Sequence, residues 1–165
     1  INGDEKILNK SIVLAKAAKL LGLPILVSRQ YPQGLGDTHM ALLDALGEHD
    51  NTDKIEFSCM RDGSDKGVPR KLENLGQRVV IIAGVETHIC VQQTVLDMLA
   101  SGYLVYVLAD CCGSRNEADH QTALQRMGLA RDNGTCIITT LESVLFDILG
   151  TAAHPSRKEI QSLIK

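Results

Sequence analysis

The 165-residue sequence predicts an α/β fold, a three-layer α/β/α sandwich on a mostly parallel central sheet. Three observations predict it. Val79-Val80-Ile81-Ile82-Ala83 and Leu104-Val105-Tyr106-Val107-Leu108-Ala109 are apolar on both faces, as strands of a parallel sheet covered on both sides must be. These runs alternate with longer stretches whose apolar residues recur at helical spacing. Aromatic residues make up only 3% of the chain, with no Trp, so the core is built of Leu, Ile, Val and Ala. That composition suits helices on a parallel sheet better than the aromatic strands common in β-sandwiches.

The elements follow in order. Ile7, Leu8, Ile12, Leu14, Ala15, Ala18, Leu20 and Leu21 fall at helical spacing until Gly22 stops the helix. Pro24 opens a short strand, Ile25-Leu26-Val27. Tyr31-Pro32-Gln33-Gly34-Leu35-Gly36 is a loop by its Pro and Gly content, and Asp37 or Thr38 is placed to cap a helix through Leu46. Phe57 sits in a brief extended stretch, and Arg61 to Pro69 reads as an exposed loop before a helix from Arg70 to Leu75. Val79 to Ala83 is a strand ended by Gly84. From Cys90 to Ala100, Val91, Val95, Met98 and Leu99 share a helical face, and Gly102 terminates it. Leu104 to Ala109 is a strand, and Glu117 to Arg131 a helix capped by Ser114 or Asn116. Cys136-Ile137-Ile138 is a strand, Thr140 caps Leu141 to Leu149, and Pro155 sits in the first turn of a last helix through Ile164. With no repeat or linker, residues 1–165 are expected to form a single domain.

Composition narrows the function. Lys and Arg number 17 against 20 Asp and Glu, a net charge of −3, which argues against a nucleic-acid partner. No run of apolar residues is long enough for a membrane span, and the polar start Ile1-Asn2-Gly3-Asp4 is no signal peptide, so a cytoplasmic protein is expected. The five cysteines are odd in number and form no CxxC pair, so free thiols are expected. Cys59, Cys111, Cys112 and Cys136 read as packing residues.

In open parallel sheets ligands bind at the carboxyl ends of the strands, here the loops after Ala83, Ala109 and Ile138. The first of these, Gly84-Val85-Glu86-Thr87-His88-Ile89-Cys90-Val91, sets Cys90 at a helix start. There the helix dipole and free N–H groups are expected to lower the thiol pKa, and the same N–H groups are placed to hold an oxyanion. Cys90 is therefore the candidate nucleophile, against the plainer reading of a small buried residue.

This loop resembles the nucleophile loop of the isochorismatase-like cysteine hydrolases, which include nicotinamidases and N-carbamoylsarcosine amidohydrolases. Gln30-Tyr31-Pro32-Gln33-Gly34-Leu35-Gly36, Lys54-Ile55-Glu56-Phe57-Ser58, Asp110 to Arg115 and His154 to Lys165 are similar to segments of its isochorismatase-domain-containing subgroup, in the same order. The resemblance implies an Asp-Lys-Cys triad with Cys90 as nucleophile and Lys54 as its cationic partner. It also implies a cis peptide joining Val85 to Glu86, which turns the Glu86 N–H toward the site beside that of Cys90. The family's acid ends its first strand in a hydrophobic-Asp-x-Gln pattern. Asp4 follows no apolar run and Asp110 matches the Ser-Arg turn, so the sequence is expected to begin beyond that strand and its acid.

The expected activity is hydrolysis of a small amide or ester-like substrate through an acyl-enzyme, with Tyr31, Phe57 and His88 as candidate pocket residues. His88 lies two residues from Cys90, an offset that in a tight turn points side chains apart, so the pocket rim suits it better than a Cys–His dyad. His39, His49, His120 and His154 lack metal-ligand spacing, and Gln30-Tyr31-Pro32 stands where nicotinamidases carry an Asp-x-His metal motif. No metal and no cofactor are therefore expected. The family's assemblies imply a homo-oligomer. The alternatives are a thiol or redox protein on a similar sheet and a degenerate family member serving as an interaction scaffold.

Overall fold

A computed structural model describes residues 4–165. Among them, helix α1 (Asp4–Leu20) leads to strand β1 (Val27–Gln30), a single turn α2 (Pro32–Leu35), helix α3 (Met40–Leu46) and strand β2 (Asn51–Lys54). A 3₁₀ turn, Cys59–Arg61, precedes helix α4 (Val68–Leu75) and strand β3 (Val79–Val85). A π-helical segment, Thr87–Val91, then runs into helix α5 (Gln92–Ala100). Strand β4 (Leu104–Gly113), helix α6 (Glu117–Leu129), strand β5 (Thr135–Thr139), helix α7 (Leu141–Leu149) and helix α8 (Arg157–Ile164) complete the order.

All pairings are parallel, in two sheets: β1 with β2, and β3-β4-β5 with β4 in the centre. Strand β4 shows why the layers form. Val105 and Val107 point into a core made with Val95, Met98 and Leu99 of α5 and Ala123 and Met127 of α6. Leu108, on the other face, packs with Ala17 of α1, Leu141 and Leu145 of α7 and Ile160 of α8. Period-two alternation thus feeds two helical layers from one strand.

Between Ile82 and Gly84 the register of β3 against β4 slips, from Ile82↔Val107 to Gly84↔Cys112. The extra residues on β4 reverse its parity, so that Cys111 joins the α7 side and Cys112 the α5 side. This irregularity carries β4 beyond the Ala109 end expected from its apolar run.

Other boundaries shift for local reasons. Strand β1 is Val27–Gln30 rather than Ile25–Val27, because pairing runs from Val27↔Asn51 to Gln30↔Lys54. The extended stretch expected around Phe57 is instead β2, a polar strand three residues earlier than Phe57 at its end. His39 caps α3, its Nδ1 accepting the Ala41 N–H at 3.2 Å, where Asp37 or Thr38 was expected. Thr140 caps α7 as expected, accepting from the Ser143 N–H at 3.4 Å.

Among the described residues, β1 bonds only to β2, and β3 only to β4, so each presents an unpaired edge. Helix α1 lies over both sheets. Its Ala15 packs with Ala45 and Leu46 of α3 beside Val27, while its Ala17 packs on the β4 side. Strand β3 is wholly apolar in sequence, yet none of its residues is buried and Val79 and Val85 are exposed. Doubly paired β4 buries Val105, Val107 and Leu108 completely.

Candidate active site

The site lies where the carboxyl ends of β1, β2 and β3 converge. Lys54 ends β2, and its side chain is nearly closed off from solvent, at 6% exposure. Its ammonium donates to Gln30 Oε1 at 2.5 Å, Phe57 O at 2.8 Å and Glu56 O at 3.2 Å. An ammonium has three donors, and here each has an acceptor. Three neutral oxygens compensate the burial of a full charge, which explains why this lysine is not a solvated surface group.

Gln30 ends β1 and connects Lys54 to the thiol. Its Oε1 lies 3.8 Å from Cys90 Sγ, and its Nε2 donates to Ile55 O at 2.6 Å. Cys90 stands in the π-helical segment after β3, half-buried. The Val85–Glu86 peptide is cis. Within the loop the Glu86 carbonyl accepts from Ile89 N (3.2 Å) and Val91 N (3.3 Å), so the Glu86 and Cys90 N–H groups are not spent on it.

The thiol's electrostatics reverse one expectation. Burial pushes the Cys90 pKa above its ordinary value, and the neighbouring Cys59 and Glu86 add to that; the Lys54 charge opposes it without overcoming it. The direction is set by desolvation of a half-buried sulfur, against which the Lys54 charge and hydrogen bond pull the other way. A proton acceptor is required for nucleophilic chemistry.

The loop is anchored on both sides. Thr87, fully buried, shares a 2.9 Å hydrogen bond with His120 of α6, and His88 Nδ1 shares one of 2.9 Å with Ser114 Oγ. His88 is thereby turned toward the end of β4. The Glu86 carboxylate accepts from Arg115 N at 2.9 Å, with Arg115 Nε 3.2 Å away. Of the other pocket candidates, Phe57 joins the site through its carbonyl, and the residue as a whole is 51% exposed. Tyr31 follows Gln30 directly and is half exposed, at φ 41°, with its ring so close over Gly34 that no side chain fits there.

Gln30 is the candidate site residue that sequence reasoning missed. Its signal was its place as the last residue of a strand at the carboxyl edge, hidden by placing that strand too early. Asp110 is structural: it accepts the Leu141 N–H at 2.8 Å at the start of α7 and lies 3.4 Å from Lys10 Nζ. Cys59 is half-buried, its Sγ 3.2 Å from Ser28 Oγ, whereas Cys111, Cys112 and Cys136 are buried. Among the described residues no group of three or more His, Cys, Asp or Glu is arranged to hold a metal ion. No helix among them is long and apolar enough to cross a membrane.

Residues 1–143 match the isochorismatase domain. The chain belongs to the isochorismatase family. It is 42% identical over 152 residues to isochorismatase domain-containing protein 1 of Salmo salar, covering 92% of this chain and 51% of that protein. It is 38% identical over 161 residues to isochorismatase domain-containing protein 2 of Bos taurus, covering 97% of this chain and 74% of the relative. The chain thus spans about half the length of the first of these relatives. Its fold superposes on the MAR1 ribonuclease of Caenorhabditis elegans with a TM-score of 0.85 and 35% identity, over 97% of this chain and 79% of that one. The Escherichia coli YcaC gene product, an octameric hydrolase of unknown specificity, shares the fold at TM-score 0.76 and 22% identity, over 97% of this chain and 81% of that one.

Proposed function

We propose that this isochorismatase-family chain is a cysteine hydrolase of small amide or ester-like substrates. The observation that carries the reading is the convergence of Cys90 Sγ, Gln30 Oε1 and the buried Lys54 ammonium at one sheet edge. In this reading the Cys90 sulfur attacks the carbonyl carbon, and the Glu86 and Cys90 N–H groups hold the oxyanion. The leaving amine or alcohol departs with a proton, and water then hydrolyses the thioester. The Lys54 charge stabilises the thiolate while it forms.

The raised thiol pKa requires an acceptor for the Cys90 proton. The unpaired edges of β1 and β3 support a strand seated between them, parallel to both and under α1. Its carboxyl end would reach Gln30 and Cys90, where a carboxylate would serve as the general base and acid. The resemblance, in which the family's acid ends its first strand, supports this reading. Assembly as a homo-oligomer and residence in the cytoplasm belong to the same proposal.

A second reading, RNA cleavage, has one support: the C. elegans relative is named a ribonuclease. Against it, the net charge is −3 and the cations near the site are already engaged. Arg115 lies on Glu86, and Arg29 on Asp53 and Asp37. The deciding experiment incubates the protein and its Cys90→Ala variant with small amides, aryl esters and an unstructured RNA. Release of amine or alcohol, lost in Cys90→Ala, with an acyl adduct on Cys90 by mass spectrometry, supports the hydrolase. Turnover that survives Cys90→Ala removes the nucleophile, and cleavage of RNA alone favours the second reading.

A further inference from the structure

We propose that Gln30 is a positioning residue of the site, an amide clamp that holds the Lys54 ammonium and offers the same oxygen to the Cys90 thiol. The inference rests on the reading of Cys90 as nucleophile. Three contacts fix the clamp. Nε2 donates to Ile55 O at 2.6 Å, while Oε1 meets Lys54 Nζ at 2.5 Å and Cys90 Sγ at 3.8 Å. The orientation of the amide is dictated by chemistry. Flipped, it would set its NH₂ against an ammonium that only donates, and its oxygen against a carbonyl that only accepts. The side chain therefore has one acceptable arrangement, tied to the backbone just past β2.

Such a clamp has a definite effect on the thiol. An amide oxygen accepts from S–H but repels S⁻, so the contact favours the protonated form of Cys90. It also competes with the sulfur for the Lys54 ammonium, which hydrogen-bonds to both. The groups facing Cys90 are Lys54 from β2, Cys59 from the 3₁₀ turn and Glu86 from its own loop, with Gln30 from β1. Of these, Lys54 favours the thiolate, by its charge and by a hydrogen bond to the sulfur, and Gln30 Oε1 touches both. The resting enzyme keeps its sulfur protonated until a substrate carbonyl or a carboxylate displaces the amide oxygen. Gln30 thus restrains the resting nucleophile while it keeps Lys54 in place.

The test uses two near-isosteric variants of the full chain, Gln30→Met and Gln30→Glu. Iodoacetamide alkylation of Cys90 is followed by mass spectrometry from pH 6 to 10, with Cys59 in the same samples as internal reference. Gln30→Met removes the acceptor and frees Lys54, so Cys90 alkylation at pH 7 rises roughly threefold to tenfold, and its pH profile moves down. Gln30→Glu places a negative charge beside the sulfur, so the rate falls by a similar factor and the profile moves up. A purely structural role shifts both variants the same way. Shifts of the same sign, or profiles unchanged in both, overturn the proposal. Should Gln30→Met not fold, the direction of the Gln30→Glu profile decides alone. Loss of the nucleophile reading shows separately, as hydrolysis that survives Cys90→Ala, because alkylation requires no turnover.

Discussion

Replacing Lys54 with Met removes a buried ammonium from beside the thiol while preserving the volume of the side chain. The size of the effect follows from two contacts. Lys54 Nζ lies 2.5 Å from Gln30 Oε1, and that oxygen 3.8 Å from Cys90 Sγ. The nitrogen is therefore no farther from the sulfur than these two legs laid end to end, about 6 Å, where an ion pair at an effective dielectric of about 20 is worth about 3 kcal/mol. Salt and the partial exposure of Cys90 take roughly half of that, leaving about 1.4 kcal/mol, or tenfold in thiolate population. The sign is fixed: Lys54 holds the Cys90 pKa down, so its loss moves the alkylation profile further up. At pH 7 the Lys54→Met variant should react with iodoacetamide about tenfold more slowly at Cys90, and Lys54→Arg, which keeps the charge, should recover part of the rate. The oxygens of Gln30, Glu56 and Phe57 lose their donor too, so urea unfolding should show a loss of about 1–3 kcal/mol. A Cys90 rate within about twofold of wild type, in a variant shown to be folded, would refute the electrostatic role of Lys54.

Two further outcomes are expected. Asp110→Ala removes the acceptor of the Leu141 N–H and the partner of Lys10, and should cost about 1–2 kcal/mol in urea unfolding, with Asp110→Asn closer to wild type because its side-chain oxygen can still accept. Burial raises the Cys112 thiol to about 12 and the Cys136 thiol to about 11. Above the ordinary thiol range the unfolded chain loses these protons while the folded chain keeps them, so stability falls as pH rises from about 9 toward 12, by about 1.4 kcal/mol per pH unit for each thiol. Thermal melts across that range should show the decline, and Cys112→Ala should make it shallower, leaving the share of the other buried thiols. A melting temperature independent of pH there would show that the thiols are not protected.

The sequence made the second half of the fold legible because its strands are buried on both faces. Val105, Val107 and Leu108 carry the signal by composition, and Gly102 and Thr140 punctuate it. The first half was harder to read for a physical reason. Strands β1 (Val-Ser-Arg-Gln) and β2 (Asn-Thr-Asp-Lys) form a two-stranded sheet with little apolar patterning, so their parallel pairing, not their hydropathy, defines their ends. The misplaced β1 concealed Gln30. The loop that carries Cys90 was legible as the turn between β3 and a helix, whereas the protonation of Cys90 was not. It depends on burial and on groups 31 to 60 residues away in sequence, which no local pattern records. The anchoring of Thr87 by His120 is of the same kind: two residues 33 apart whose partnership exists only once α6 is packed.

Strand β3 has a consequence for how this chain behaves in solution. Val79-Val80-Ile81-Ile82-Ala83-Gly84-Val85 is uncharged, free of proline and β-branched in most positions, and among the described residues one of its edges has no partner. Such a segment templates any strand that reaches it, whether from its own polypeptide or from a neighbouring molecule. Colloidal behaviour and the surroundings of Cys90, whose loop follows β3 directly, therefore meet at the same edge. A strand that pairs with it shields that edge from self-association.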